Sequence, residues 1–121
     1  MEAFAIGDVI ALEYPYSDGK TSEKRPALVI QETPEGEVLV CMISATPRTD
    51  IPTFPIAGLE LEHSKLLRVS FVRPRAILIA KKGKCKKIGR LSKSFVSVIK
   101  EDVAEWIRSF SLGGESSAQR M

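Results

Sequence analysis

The chain has 121 residues, 44% of them hydrophobic, and a formal net charge of +3. That length suits one compact domain with its own core and is short for two. No run approaches the roughly 20 apolar residues of a membrane span, and the first residues lack a basic segment followed by an apolar one, so a cytoplasmic location without membrane attachment is expected.

In chain order, residues 6–14 read as a first strand, with Ile6, Val9 and Ile10 apolar and Tyr14-Pro15 ending it. A polar loop rich in Gly, Ser and Thr leads to a second strand at 26–32. Thr33-Pro34-Glu35-Gly36 is turn chemistry, and the β-branched run 38–45 should pair antiparallel with its predecessor as a hairpin. Three prolines between Thr46 and Pro55 break any ladder there. Residues 56–61 read as a short strand and 62–68 as a connection holding His63, the only histidine. An exposed loop histidine is the commoner case, so His63 is not taken as a catalytic base. The longest β-like run, 69–80, contains Pro74, which points to an edge or a bulge. A basic turn around Gly83 and a strand at 85–91 follow. Phe95, Ile99, Val103, Trp106 or Ile107, and Phe110 then fall at helical spacing, with Ser92 or Ser94 available as the cap. Because Val96 to Ile99 are poor helix formers together, the secure part is expected to be only 101–110. Gly113-Gly114 stops the helix. About six short strands and a terminal helix describe a mainly β, partly open small barrel whose edges must be covered, a second copy being one solution. The expected organisation is one domain over 1–112 and a frayed tail over 113–121.

Charge is unevenly placed. No acid stands between Glu62 and Glu101, whereas twelve of the eighteen Lys and Arg lie between Lys65 and Lys100. So long a cationic stretch suggests an anionic partner, nucleic acid first. Cys41 and Cys85 show no paired-cysteine spacing, so reduced thiols and no zinc site are expected.

Three sequence-distant features are candidates for one site. Arg25 stands at the mouth of the second strand, where Pro26 biases it toward extended backbone. Ser44 and Thr46 end the third strand, at the same end of the hairpin. Arg73 and Arg75, two apart on the long strand, are expected to share a face. Guanidinium beside hydroxyl suits a phosphodiester, since arginine forks onto phosphate oxygens and stays charged as negative charge grows. Tyr14 reads as core packing and Tyr16 as a stacking residue. Trp106 reads as core or groove lining.

Gly7-Asp8-Val9, Lys24-Arg25-Pro26-Ala27-Leu28-Val29, Ile43-Ser44, Ser70-Phe71-Val72-Arg73-Pro74 and Lys87-Ile88-Gly89-Arg90-Leu91-Ser92 together resemble the MazF/PemK family of toxins from type II toxin–antitoxin systems. The blocks run in order over about residues 6 to 92. The resemblance implies an SH3-like (CcdB/PemK-type) barrel with a C-terminal α-helix, a homodimer that cleaves single-stranded RNA without metal or other cofactor and is silenced by an antitoxin. Charge complementarity makes that antitoxin an acidic, partly disordered protein. Carried over by position, Arg25 is the catalytic arginine, Ser44 stands at a hydroxyl position commonly Thr in relatives, and Arg73 belongs to the substrate wall. Arg75 departs from the pattern, since relatives often carry an acid or amide there. The missing proton acceptor is then sought in the first loop, at Glu23 or Asp18, with Glu23 the catalytic choice. Tyr16, Ser17, Lys24, Thr46, Arg73, Arg75 and Lys82 complete the expected RNA-binding set. Two other functions stay open on the sequence: a CcdB-like inhibitor of a protein target such as gyrase, acting through the helix and tail, and a barrel that binds nucleic acid without cutting it.

Overall fold

A computed structural model describes residues 4–15, 18–56, 61–64 and 69–110. Seven strands are formed: β1 (Asp8–Pro15), β2 (Ser22–Glu32), β3 (Glu37–Ser44), β4 (Phe54–Ile56), β5 (Leu61–Ser64), β6 (Ser70–Lys81) and β7 (Cys85–Leu91). A 3₁₀ turn, Lys82–Lys84, joins β6 to β7, and helix α1 (Lys93–Arg108) follows. The sheet order is β4-β6-β3-β2-β1-β7-β5, with every neighbouring pair antiparallel. The result is the expected partly open barrel with a C-terminal helix.

The β2–β3 turn works as its residues suggest. Gly36 takes φ +82°, which a side chain would resist, and Thr33 accepts from the Gly36 and Glu37 amides through its carbonyl and hydroxyl oxygens, at 3.1 Å each. Gly7, at φ +100°, lets the chain pass beside β7 and α1, where an added Cβ would sit 3.4 Å from the Leu91 carbonyl oxygen.

Alternation along the strands builds two apolar layers. On one face Val9, Leu28, Ile30, Cys41 and Val72 meet Val96, Ile99 and Val103 of α1. On the other, Ile10, Ala27, Val29, Val40 and Met42 pack beneath Phe4. The helix stripe explains why α1 begins at Lys93 rather than near Glu101: Val96 and Ile99 are buried against the sheet, and that burial overrides their poor intrinsic propensity. Ser92 is the cap, its Oγ accepting from the Phe95 amide at 3.4 Å.

Other boundaries differ as well. β2 starts at Ser22, four residues before the expected strand, because Ser22 to Arg25 pair with Leu12 to Pro15 of β1. The strand expected at 56–61 is instead the short β4 and, beyond residues 57–60, β5, so His63 lies on a strand opposite Arg90 rather than in a connection. Pro74 does mark a bulge. Cys41 pairs with Ile77 and Ile43 with Val72, so Met42 alone faces the four residues Arg73 to Ala76. The glycine stop and tail expected beyond residue 110 lie outside the described residues.

If the helix stripe carries the core, Ile99→Ala should cost about 3 kcal/mol, the usual range for a buried Ile truncated to Ala. Urea denaturation followed by circular dichroism measures it; a loss near zero would show that α1 is not packed on the sheet.

Candidate functional site

Ala27 pairs with Met42 in the β2–β3 ladder, and one further step of two residues sets Arg25 across from Ser44. Both line an open cleft of about 350 Å³, together with Tyr14, Met42, Ala45 and Arg73. Among the described residues no acid lines it.

Arg25 is held from two sides. Its guanidinium carbon lies 4.6 Å from the centre of the Tyr14 ring, and Nε and Nη2 both reach Glu23 Oε2 at 2.5 Å. Glu23 and Arg25 are two apart on β2 and so share a face. Glu23 therefore meets the cleft through Arg25. Side-chain exposures of 45% and 36% make this a solvated pair, of the kind that contributes about 0 to 1 kcal/mol. Because that pair is exposed and weak, a phosphate entering the cleft can compete with Glu23 for Arg25, whose guanidinium can fork onto two phosphate oxygens.

Ser44 and Arg73 are stitched together through the backbone of Thr46. The Thr46 amide donates to Ser44 Oγ at 3.1 Å, leaving the hydroxyl proton able to donate into the cleft. Arg73 Nη2 donates to the Thr46 carbonyl at 3.1 Å, while Arg73 Nε is buried without a hydrogen-bond partner among the described residues. Thr46 thus contributes its main chain to the cleft wall, while its side chain is exposed.

Tyr14, expected as core, does pack against the layer beneath Phe4 and in addition lines the cleft, supplying the ring beneath Arg25. The signal was its place on β1 two residues past Leu12, which pairs with Arg25. Three other expected members stand elsewhere. Lys24 projects from the opposite face of β2 and lines a separate cleft with Glu13, Lys84 and Lys86. Lys82 pairs with Glu32 at 3.0 Å, at the Glu37 end of β3, about 23 Å of strand rise from Ser44. Arg75 does not share a face with Arg73: the bulge turns it to the helix side, where Nη1 meets Asp102 Oδ2 at 2.7 Å and the guanidinium lies 4.8 Å from the Trp106 ring centre. Trp106 is half-buried there, edge-on to Phe110 at 5.2 Å. Tyr16 and Ser17 lie outside the described residues.

Acids from distant parts of the chain also meet four cations of the cationic stretch. Buried Asp8 takes Lys87 at 3.3 Å and Arg90 at 3.4 Å, Glu32 takes Lys82, and Asp102 takes Arg75. The run of positive charge is therefore partly neutralised on folding, without an outside partner. Among the described residues no three His, Cys, Asp or Glu converge to hold a metal ion, and none of the described helices is long and apolar enough to cross a membrane.

A small, partly open antiparallel barrel closed by a C-terminal helix, with two arginines and a serine on one open cleft, defines the class of protein. The family model described as PemK-like, MazF-like toxin of type II toxin-antitoxin system matches residues 5–107, and the chain belongs to that family. A comparison with curated proteins gave no match.

Asp18, the other candidate acid, is tied up in its own turn. Its carboxylate accepts from the Lys20 amide at 2.8 Å, the Thr21 amide at 3.0 Å and the Thr21 hydroxyl at 2.9 Å. Those bonds, the Lys20 amide first, hold its pKa below the ordinary 3.8. A group depressed on folding contributes stability above its unfolded pKa and loses it as pH falls through the folded value. Carbon-detected NMR titration should accordingly find the Asp18 midpoint below 3.8. A midpoint at or above that value would show that the turn is not formed.

Proposed function

We propose that this chain is the toxin of a type II toxin–antitoxin system and acts as a metal-independent endoribonuclease on single-stranded RNA. The observation that carries the reading is the convergence of Arg25, Ser44 and Arg73 on one open cleft, with the Glu23 carboxylate reaching it through Arg25. Endonucleolytic cleavage of RNA is also the usual role of the family.

In the proposed reaction the 2′-oxygen attacks the adjacent phosphorus and the P–O5′ bond breaks, giving a 2′,3′-cyclic phosphate and a 5′-OH end. Glu23 takes the 2′-OH proton. Arg25, released from Glu23 as that carboxylate is protonated, forks onto the non-bridging oxygens and stabilises the charge that develops there and on the leaving oxygen, which is protonated by solvent. Ser44 donates its hydroxyl hydrogen to a phosphate oxygen, and Arg73 holds the neighbouring stretch of strand. Two guanidinium groups on one wall also suit an acidic antitoxin segment that competes with RNA. A second copy is proposed to cover Leu78 and Ile79, exposed beside the cleft on the Tyr14 side.

Purified protein incubated with single-stranded RNA in EDTA should yield fragments with 5′-OH ends. Arg25→Ala is expected to lower kcat/KM about 10²- to 10³-fold, the usual cost of removing a group that stabilises the transition-state charge. Glu23→Gln should cost about 10²-fold, the low end for a general base. Full activity in Arg25→Ala would remove the enzymatic reading, full activity in Glu23→Gln the base assignment, and RNA bound but uncut would leave a binding module.

A further inference from the structure

The two arginines flanking Pro74 have separate anchors on opposite faces of the sheet. We infer that the Arg75–Asp102 pair is a positioning device: by tying one limb of the β6 bulge to helix α1, it keeps the other limb, and with it Arg73, turned into the cleft. The inference deepens the proposed function and rests on it, since it makes Arg75 a residue that acts on the RNA site through Arg73.

On an uninterrupted strand, residues 73 and 75 would point the same way. They do not, because four residues of β6 stand opposite Met42 alone and the surplus chain leaves the ladder. Pro74, buried at the centre, has no N–H and so loses no ladder bond there. Arg73 is fastened to the Thr46 carbonyl at 3.1 Å and Arg75 to Asp102 at 2.7 Å, with the Trp106 ring over it. Two residues of chain span at most about 7 Å, so the fastenings sit at either end of a short lever. With the helix-side fastening gone, the bulge can migrate by one residue. A shift of one residue in a period of two turns Arg73 off the cleft face.

Helix docking alone is a poor account of this pair, because Val96, Ile99 and Val103 are already buried against the sheet. The setting also keeps water away. Side-chain exposures are 21% for Arg75 and 30% for Asp102, and the neighbouring Cys41 thiol is pushed up to about 12, by burial first and by the Asp102 carboxylate second.

The buried Arg73 Nε–H provides a direct readout. In ¹⁵N NMR of the full chain its signal, identified by its loss in Arg73→Lys, should exchange slowly with solvent. Arg75→Gln and Asp102→Asn should each speed that exchange at least tenfold and lower kcat/KM for RNA about tenfold. Arg75→Asp combined with Asp102→Arg should restore both. Should Arg75→Gln fail to fold, Asp102→Asn, which keeps the side-chain shape, carries the test. Unchanged Arg73 exchange in the folded single variants overturns the inference whatever happens to cleavage. Faster exchange in a protein whose parent form cuts no RNA supports the coupling of Arg75 to Arg73 and sinks the ribonuclease reading instead.

Discussion

The pairing of β2 with β3 is the constraint on which the cleft depends. With Ala27 opposite Met42 and Leu28 opposite Cys41, every second residue of both strands goes to the helix side and the rest to the cleft side. Arg25 and Ser44 are on the cleft side for the same reason that Ala27 and Met42 are. Slipping the hairpin by one residue would exchange them with Lys24 and Ile43. Since both faces of the hairpin are buried, Leu28, Ile30, Cys41 and Ile43 against α1 and Ala27, Val29, Val40 and Met42 in the other layer, such a slip would mismatch both packed layers at once. The register is thus protected by packing on both faces, and the polar side chains at the strand ends can be chosen for chemistry.

Electrostatics follow the same division. Four of the twelve cations in that stretch, Arg75, Lys82, Lys87 and Arg90, meet Asp102, Glu32 and Asp8, acids far away in sequence. Arg25 is different, because its partner lies two residues away on an exposed strand end. That pair sets a cation held only by an exposed partner beside Ser44. Charge counted along the chain overstates the demand for an outside partner, because it cannot register which acids fold back.

The sequence carried much of the architecture. β3, β6 and β7 fell within one residue of their expected bounds, and the turn at 33–36 and the Ser92 cap were readable from local chemistry. What could not be read depended on partners distant in sequence. The first half of α1 is helical through burial, which propensity does not contain. β5 exists by pairing with β7, some 25 residues on. At the site, placing Arg25 and Ser44 together required only hairpin geometry, whereas Arg73 and Arg75 required the size of the bulge. Pro74 advertised an irregularity but not that four residues would oppose one, and so the common face assigned to that pair was wrong. Tyr14 packs against the core as expected, but its second role in the cleft was not legible because an aromatic at a strand end serves core and cleft equally well.

Asp8 joins the beginning of the sheet to its far side. Its carboxylate holds the Ala5 amide at 2.9 Å as well as Lys87 and Arg90, across a sequence separation of 82 residues to the latter. The β1–β2–β3 meander needs only short loops, while the seam between β1 and β7 must wait for nearly the whole chain. Loop-closure entropy rises with that separation, so the seam is expected to zip last during refolding. Pulse-labelled hydrogen exchange would time it, with early protection of the β7 amides counting against that order. Until the seam forms, Asp8, Lys87 and Arg90 remain hydrated, which gives the molecule a built-in delay between making its central hairpins and completing its barrel.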